Sequence, residues 1–306
     1  LNKLKKLIQY DDVKNNAELL LRSHMRVGHW TLNLYDIEDP KNHSVIDIVL
    51  NAFAAAKTLD PQHFKAWDAW ALMNYNVVKI YERLCGGAQA VCKRLERIYG
   101  EKRKLHGSST PLKESNSLDM RLTPNLLNSK HTPVEPTEAA IVGGSIVNAD
   151  EEGEERDIVP QMIMPNRSRR SNSAPAPSPA DRHSAVLDTH AQRVASHLIP
   201  SIRSFFKSVT VILQEKDQRR RLVSNVLQDM LRVLTLWFDY GDLADVAEVM
   251  KEGFEQINID IWLYVIPQLI ARIHTPVARI QSLLHRLLCH VGRRHPQALI
   301  YSLTVA

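Results

Sequence analysis

None of the chain's 19 aromatic residues falls between Gly100 and Ser204. Aromatic side chains contribute most per residue to core burial, so about a third of the chain lacks the means to anchor a core. Nine of the fifteen prolines lie in the same region, between Pro111 and Pro179. They stand beside an acidic run, Asp150-Glu151-Glu152-Gly153-Glu154-Glu155, and a basic one, Arg167-Ser-Arg-Arg170. Such a stretch cannot bury enough apolar area to offset the entropy of ordering it. Residues 106–184 are therefore expected to be a disordered insert between two ordered blocks, 1–105 and 185–306.

Both blocks carry helical periodicity. Over residues 16–34, Leu19, Leu20, Met25, Val27 and Trp30 recur at mixed helical spacing without a proline. Residues 45–58 put Val45, Ile48/Val49, Ala52 and Ala56 on one face. Asp60-Pro61 reads as an N-cap and first-turn proline for a helix through Phe64, Trp67, Ala71, Tyr75, Val78 and Tyr81. Three such helices joined by short polar turns predict antiparallel hairpins stacked as a solenoid.

The second block repeats the pattern from Ala185. Val223, Leu227, Met230/Leu231, Leu234 and Trp237/Phe238 form one stripe, with Gly241 expected to take the left-handed cap and Asp242 to start the next helix, which carries Val246, Val249/Met250 and Ile257. Residues 260–273 read as a helix kinked at Pro267, and Thr275-Pro276 as the cap for Ile280, Leu284, Leu287 and Val291. The fold class is all-α, a helical-repeat superhelical solenoid, TPR-like in the first block and HEAT-like in the second.

No window approaches the ~18 to 20 uninterrupted apolar residues that span a bilayer. The chain opens Leu-Asn-Lys-Leu-Lys-Lys with no secretory pattern, which reads as a fragment without a visible targeting peptide. Three cysteines, Cys85, Cys92 and Cys289, form no disulfide framework and fit a reducing, cytosolic or nuclear compartment. The 39 Lys and Arg outnumber 34 Asp and Glu, but they are scattered and not interleaved with aromatics, so a nucleic-acid face is not expected.

Catalytic and metal chemistry find little support. The glycine pairs Gly86-Gly87 and Gly143-Gly144 lack the spacing of a phosphate-cradling loop, and no Asp-Phe-Gly occurs. Asp181-Arg182-His183 is similar to the start of a lipid-kinase-like catalytic loop, but Val186 stands where a metal-binding Asn is needed. His285, His290 and His295 step by five residues and so diverge around a helix, and Cys85 and Cys92 are too far apart for a zinc knuckle. No metal site is expected. Trp67 and Trp70 read as core aromatics rather than a stacking platform.

Leu231-Arg-Val-Leu-Thr-Leu-Trp-Phe-Asp-Tyr-Gly241, Ile261-Trp-Leu-Tyr-Val-Ile-Pro-Gln-Leu-Ile-Ala-Arg-Ile273 and His295-Pro-Gln-Ala-Leu-Ile-Tyr301 resemble the FAT region of the target-of-rapamycin (TOR) kinases, of the phosphatidylinositol-3-kinase-related family. Phe64-Lys-Ala-Trp-Asp-Ala-Trp-Ala-Leu-Met-Asn74 and Arg26-Val-Gly-His-Trp30 resemble its earlier part. Ser302 departs from the family's usual proline, and residues 214–221 are longer than expected.

The resemblance implies a non-catalytic scaffold that encloses and regulates a serine/threonine kinase domain following Ala306, in growth and nutrient signalling. Its partners would be the rest of its own chain and TOR-complex subunits, in the cytoplasm or peripherally at lysosomal and other endomembranes. A free-standing helical adaptor binding protein partners is the alternative reading. The resemblance also implies that Arg22 and Arg26, with Lys65 before Ala-Trp, help to hold a structural inositol hexakisphosphate; a family lysine is arginine at position 26. Arg22 and Arg26, four residues apart, share one helix face. In the insert, Arg170-Ser-Asn-Ser173-Ala-Pro175 matches the pattern bound by 14-3-3 proteins when Ser173 is phosphorylated.

Overall fold

The computed structural model describes residues 3, 6, 8–106, 178–214 and 219–305. Among the described residues the chain is helical almost throughout, with no strand. The expected insert lies outside them except at its ends, His106 and residues 178–184.

After a single helical turn at Asp11–Lys14, α1 spans Ala17–Leu34, opened by the Asn16 side chain accepting from the Leu19 N–H at 3.0 Å. Its inward face is not the large-apolar one expected. Leu19 and Trp30 are exposed, and the buried positions are Leu21, Ser23, Val27, Gly28 and Thr31. The reason is proximity: α2 (His43–Leu59) places Phe53 directly over Gly28, where a Cβ would meet Phe53 Cε1 at 2.2 Å.

Helix α3 (Phe64–Cys85) begins later than Asp60-Pro61 suggested. Asp60 closes α2 and its carboxylate accepts from the Gln62 N–H, while the Trp67 indole donates to the Pro61 carbonyl at 2.9 Å. These bonds hold the dipeptide in the connecting turn, and His63 caps α3 through Nδ1. Gly86 and Gly87 then take φ of 88° and 104°, which side chains with a Cβ rarely adopt, and turn the chain into α4 (Ala88–His106).

Helix α5 runs from Pro179 to Gln214, starting inside the segment assigned to the insert; residues 179–184 are helical, with Pro179 at the first position, where no N–H is needed. Helices α6 (Arg219–Tyr240) and α7 (Ala244–Gln256) follow. Two caps differ from expectation. Gly241 is not left-handed; it is small because a Cβ would lie 2.4 Å from the Trp237 carbonyl and 2.7 Å from Ile280 Cγ1. Asp242 does not cap α7, whose N-cap is Leu243; its carbonyl instead accepts from Arg279, with the carboxylate 3.8 Å away.

Residues 260–273 do not form one kinked helix. They divide into α8 (Ile259–Trp262), a 3-10 turn at Leu263–Val265 and α9 (Ile266–Ile270), so Pro267 sits in a first turn and breaks no hydrogen bond. Helix α10 (Ala278–Arg294) buries Ile280, Leu284, Leu287 and Val291 as expected, but its N-cap is Val277 rather than Thr275. Helix α11 spans Pro296–Val305.

The segments on either side of the insert make one compact unit. α5 packs along α3 more extensively than any other pair of helices, and one continuous core reaches from Val45 in α2 to Leu299 in α11.

Candidate functional site

Where α3 meets α5 and α6, the core contains polar groups. Asp229 sits on the buried face of α6, 3% exposed, between Val226 and Val233. Its Oδ2 accepts from the Ser208 hydroxyl of α5 at 3.2 Å, and its Oδ1 from Arg232 Nη1 at 3.1 Å. It also shares a hydrogen bond with Asp68 of α3. Burial first, and the neighbouring Asp68 charge second, push the Asp229 carboxyl up to about 8. Asp68 is raised as well, chiefly by burial, against the opposing pull of Arg232 and of His29 on α1. Raised carboxyls favour a proton shared by the pair, which turns two mutually repelling acids into a hydrogen bond between α3 and α6.

Further along the same interface, His197 of α5 donates to Asn74 Oδ1 of α3 at 2.8 Å, and Asn74 Nδ2 donates to the Trp70 carbonyl. Burial lowers His197 to about 4, so it stays neutral. Ser201 donates to the Ala71 carbonyl at 3.1 Å. Lys79 bridges Glu82 at 2.9 Å and Asp239 of α6 at 2.7 Å, and the Tyr240 hydroxyl donates to the same Glu82 carboxylate. Arg94 and Arg97 of α4 both reach Asp188 of α5. These groups satisfy one another, so the arrangement can fasten helices and sense protonation.

The three residues expected at a polyanion site are all exposed. Arg22 and Arg26 project from α1, and Lys65 stands in the first turn of α3. Their neighbours Leu21 and Ala66 belong to one small apolar cluster with Ala56 of α2. Arg22 also pairs with Glu18 at 2.5 Å. As exposed guanidinium and ammonium donors the three fit phosphate oxygens in kind. Ser173 lies outside the described residues.

Trp67 and Trp70 are half-buried, and sequence reasoning missed what covers them. Lys57 Nζ of α2 lies 4.7 Å and 4.9 Å from their ring centroids, and burial lowers its pKa. Among the described residues no group of three or more His, Cys, Asp or Glu could hold a metal ion. His295 instead meets Asp260 at 2.7 Å, while His285 and His290 are exposed. Burial pushes the Cys92 thiol up to about 11, and Cys85 is raised by the same cause. Among the described residues no helix is long and apolar enough to cross a membrane.

The polar seam also had a sequence signal that went unread. Asp229 falls three residues after Val226 and four before Val233, on the stripe that should be apolar. An acid there announces a partner, but periodicity along one helix cannot say that the partner is Asp68, 161 positions earlier by number (229 − 68 = 161).

Comparison with known proteins finds relatives over most of the chain. The chain is 28% identical over 293 residues to Serine/threonine-protein kinase mTor of Drosophila melanogaster, covering 96% of this chain and 8% of the relative. It is 28% identical over 295 residues to Serine/threonine-protein kinase TOR2 of Saccharomyces cerevisiae, with 96% and 9% covered. It is 45% identical over 124 residues to Serine/threonine-protein kinase tor1 of Schizosaccharomyces pombe, with 40% and 5% covered. The chain thus spans less than a tenth of the length of these curated relatives. Residues 1–235 match the FAT domain family. With most of its length inside that match, the chain belongs to the FAT domain family, and the relatives it resembles are TOR serine/threonine kinases.

Proposed function

We propose that this chain is a non-catalytic scaffold segment of a TOR serine/threonine kinase, enclosing and regulating a kinase domain elsewhere in the parent protein and serving growth and nutrient signalling. The supporting observation is how its buried polar groups are used. Asp68, Asp229, Ser208, Asn74 and His197 join helices from both sides of the insert, and a continuous core runs through all of them. A rigid body of this kind is suited to fixing the position of neighbouring domains. Its setting is the cytoplasm, with peripheral attachment to lysosomal or other endomembranes through the parent complex, and its partners are the remainder of its own chain and TOR-complex subunits.

The purified chain, incubated with labelled ATP, magnesium and a general protein substrate, transfers no phosphate on this reading. Transfer that Asp181→Ala abolishes overturns it.

Two sites belong to the same proposal. Arg22, Arg26 and Lys65 hold part of a structural inositol hexakisphosphate, whose charge offsets the repulsion among these cations and stiffens the scaffold. The ligand should raise the melting temperature, and a rise that survives Arg22→Glu, Arg26→Glu and Lys65→Glu together removes these residues from the site. Ser173, once phosphorylated, recruits a 14-3-3 protein. Phosphorylated and unmodified peptides over residues 167–181 should differ in 14-3-3 pull-down, and equal retention excludes this.

A further inference from the structure

Residues 271–306 contain five arginines and neither Asp nor Glu. The whole chain has 34 acids in 306 residues, one in nine, so 36 residues at that frequency would hold four. The segment itself therefore carries formal charge of one sign. The arginines are also regularly spaced, because Arg272, Arg279, Arg286 and Arg293 follow one another at intervals of seven.

Three of them ride on α10. Seven residues are just under two turns, so successive arginines are rotated by only about 20° and rise by roughly 10.5 Å. The apolar residues Ile280, Leu284, Leu287, Leu288 and Val291 face the core and fix the orientation of the helix. The arginine line therefore lies on the solvent side, where Arg286 and Arg293 are exposed. Ser282 and Cys289, both exposed and both small, fill the positions between on one flank, and the exposed His290 stands between Arg286 and Arg293 on the other. The ridge reads Arg279, Ser282, Arg286, Cys289, Arg293, long cations alternating with short side chains.

The ends of this basic region are already engaged. Arg272 lies over the Phe238 ring, Arg279 reaches Asp242, and Arg294, off the ridge, lies 3.9 Å from Asp260. Among the described residues Arg286 and Arg293 have no hydrogen bond or ion pair, and no acid on α10 or α11 could supply one.

We infer that the exposed ridge of α10 is a docking surface for an acidic helix of a partner protein, whose carboxylates recur every seven residues and face Arg286 and Arg293. Three features select this occupant. A helix repeats its side chains at the same roughly 10.5 Å over seven residues, so carboxylates at that interval match the arginines in register, whereas an extended strand does not. Ser282 and Cys289 leave hollows between the arginines, which lets a second helix approach to the usual ~8 to 10 Å. The ridge lacks much of what other polyanions use: none of the large exposed hydrophobics lies on α10, so there is no wedge for a bilayer, and no Phe, Tyr or Trp stands there as a platform for a run of bases. The bidentate guanidinium then provides the directional part of the contact. This inference is independent of the scaffold reading, because it concerns a surface and not a role in the parent kinase.

The test uses the 306-residue chain and fluorescent designed helical peptides. One probe carries Glu at every seventh position along a single face; a second has the same composition with its Glu residues spread around the helix. Anisotropy should show the first binding about tenfold more tightly, a difference of ~1.4 kcal/mol. Arg286→Glu with Arg293→Glu should abolish that preference with an unchanged far-ultraviolet circular dichroism spectrum, and a probe with Lys in place of Glu should bind the doubly substituted chain. Equal affinity for the two acidic probes, or none for either, overturns the inference. So does binding to phosphatidylserine vesicles, lost in the double variant, with no preference between the peptides, since that assigns the ridge to a lipid surface.

Discussion

The core is closed in opposite ways at its two ends. Where α1 meets α2, an aromatic ring lies against the bare backbone of a glycine: Phe53 occupies the volume that a Cβ at position 28 would need. Where α6, α7 and α8 meet, ring lies against ring. Trp237 and Phe254 are 5.4 Å apart between centroids, Phe254 and Trp262 4.9 Å at 88°, and Phe206 adds a tilted contact to Trp262. The first junction depends on something being absent, so it should tolerate deletion better than addition. The second depends on volume supplied by several large side chains, and deletion is what it should not tolerate.

The largest effect should therefore come from removing a ring in the second junction. Trp262 is fully buried, and Trp262→Ala should cost about 3 to 5 kcal/mol in urea unfolding. A loss below about 1 kcal/mol would mean that the neighbouring rings close the cavity, and the contrast between the two ends would fail.

At the first junction the informative change is an addition. Gly28→Val should cost roughly 1 to 3 kcal/mol, because the Phe53 ring must move from a close-packed site. A double-mutant cycle sharpens this. With Phe53→Leu in place, part of the cost should disappear, whereas strict additivity would show that the helix, and not the ring, resists the side chain.

This contrast also explains how much could be read in advance. Trp237, Trp262 and the α10 stripe from Ile280 to Val291 announce themselves through size and spacing, and the structure buries them all. α1 misled because Leu19 and Trp30 look like core residues by hydropathy, yet beside Leu21 and Val27 its inward face is Gly28, Ser23 and Thr31, whose value lies in how little space they take. Helix starts were harder. Asp60, Asp242 and Thr275 are all sound capping residues by type, but Asp60 binds within its own turn, and Asp242 serves Arg279, a contact that depends on a tertiary neighbour. The polyanion residues came from family resemblance alone; nothing in their spacing distinguishes them from a solvated face. The Asp68–Asp229 seam required knowing that α3 and α6 touch.

That seam lies between the two ends and should give the third effect. Both carboxyls are raised in the folded chain, by burial before anything else, so folding takes up protons above the ordinary carboxylate range. The stability they contribute is present at acidic pH and falls as pH rises toward about 8. The groups facing the pair are Ser208 from α5, Arg232 from α6 and His29 from α1, and Arg232 favours the charged form, which moderates the slope. Asp229→Asn keeps a donor toward Asp68 without a titrating proton. Unfolding free energies from denaturant titrations between ~pH 5 and ~pH 8 should fall for the wild-type chain by about 1 kcal/mol more than for this variant. Parallel pH profiles would show that the pair does not share a proton.

The smallest effect belongs to the outer surface of α1, and its size decides how Arg22 should be understood. Arg22 and Glu18 form an ion pair on this helix at 2.5 Å, yet their side chains are 70% and 73% exposed. Water screens both charges, and holding two long side chains together costs entropy, so distance alone says little about the contribution. Arg22→Gln should change stability by no more than about 0.5 kcal/mol, and added salt should erase the difference. Gly28, six residues further along the same helix, touches no charge and should matter several-fold more. If Arg22→Gln instead destabilises the chain by more than about 1 kcal/mol without any ligand, Arg22 is a structural strut. The weakening of inositol hexakisphosphate stabilisation in charge-reversed variants would then reflect damage to α1 and not a lost phosphate contact. A near-neutral Arg22→Gln that nonetheless reduces the ligand-induced rise in melting temperature separates the two roles, because only a group idle in the free protein can be removed at no cost to folding and at some cost to binding.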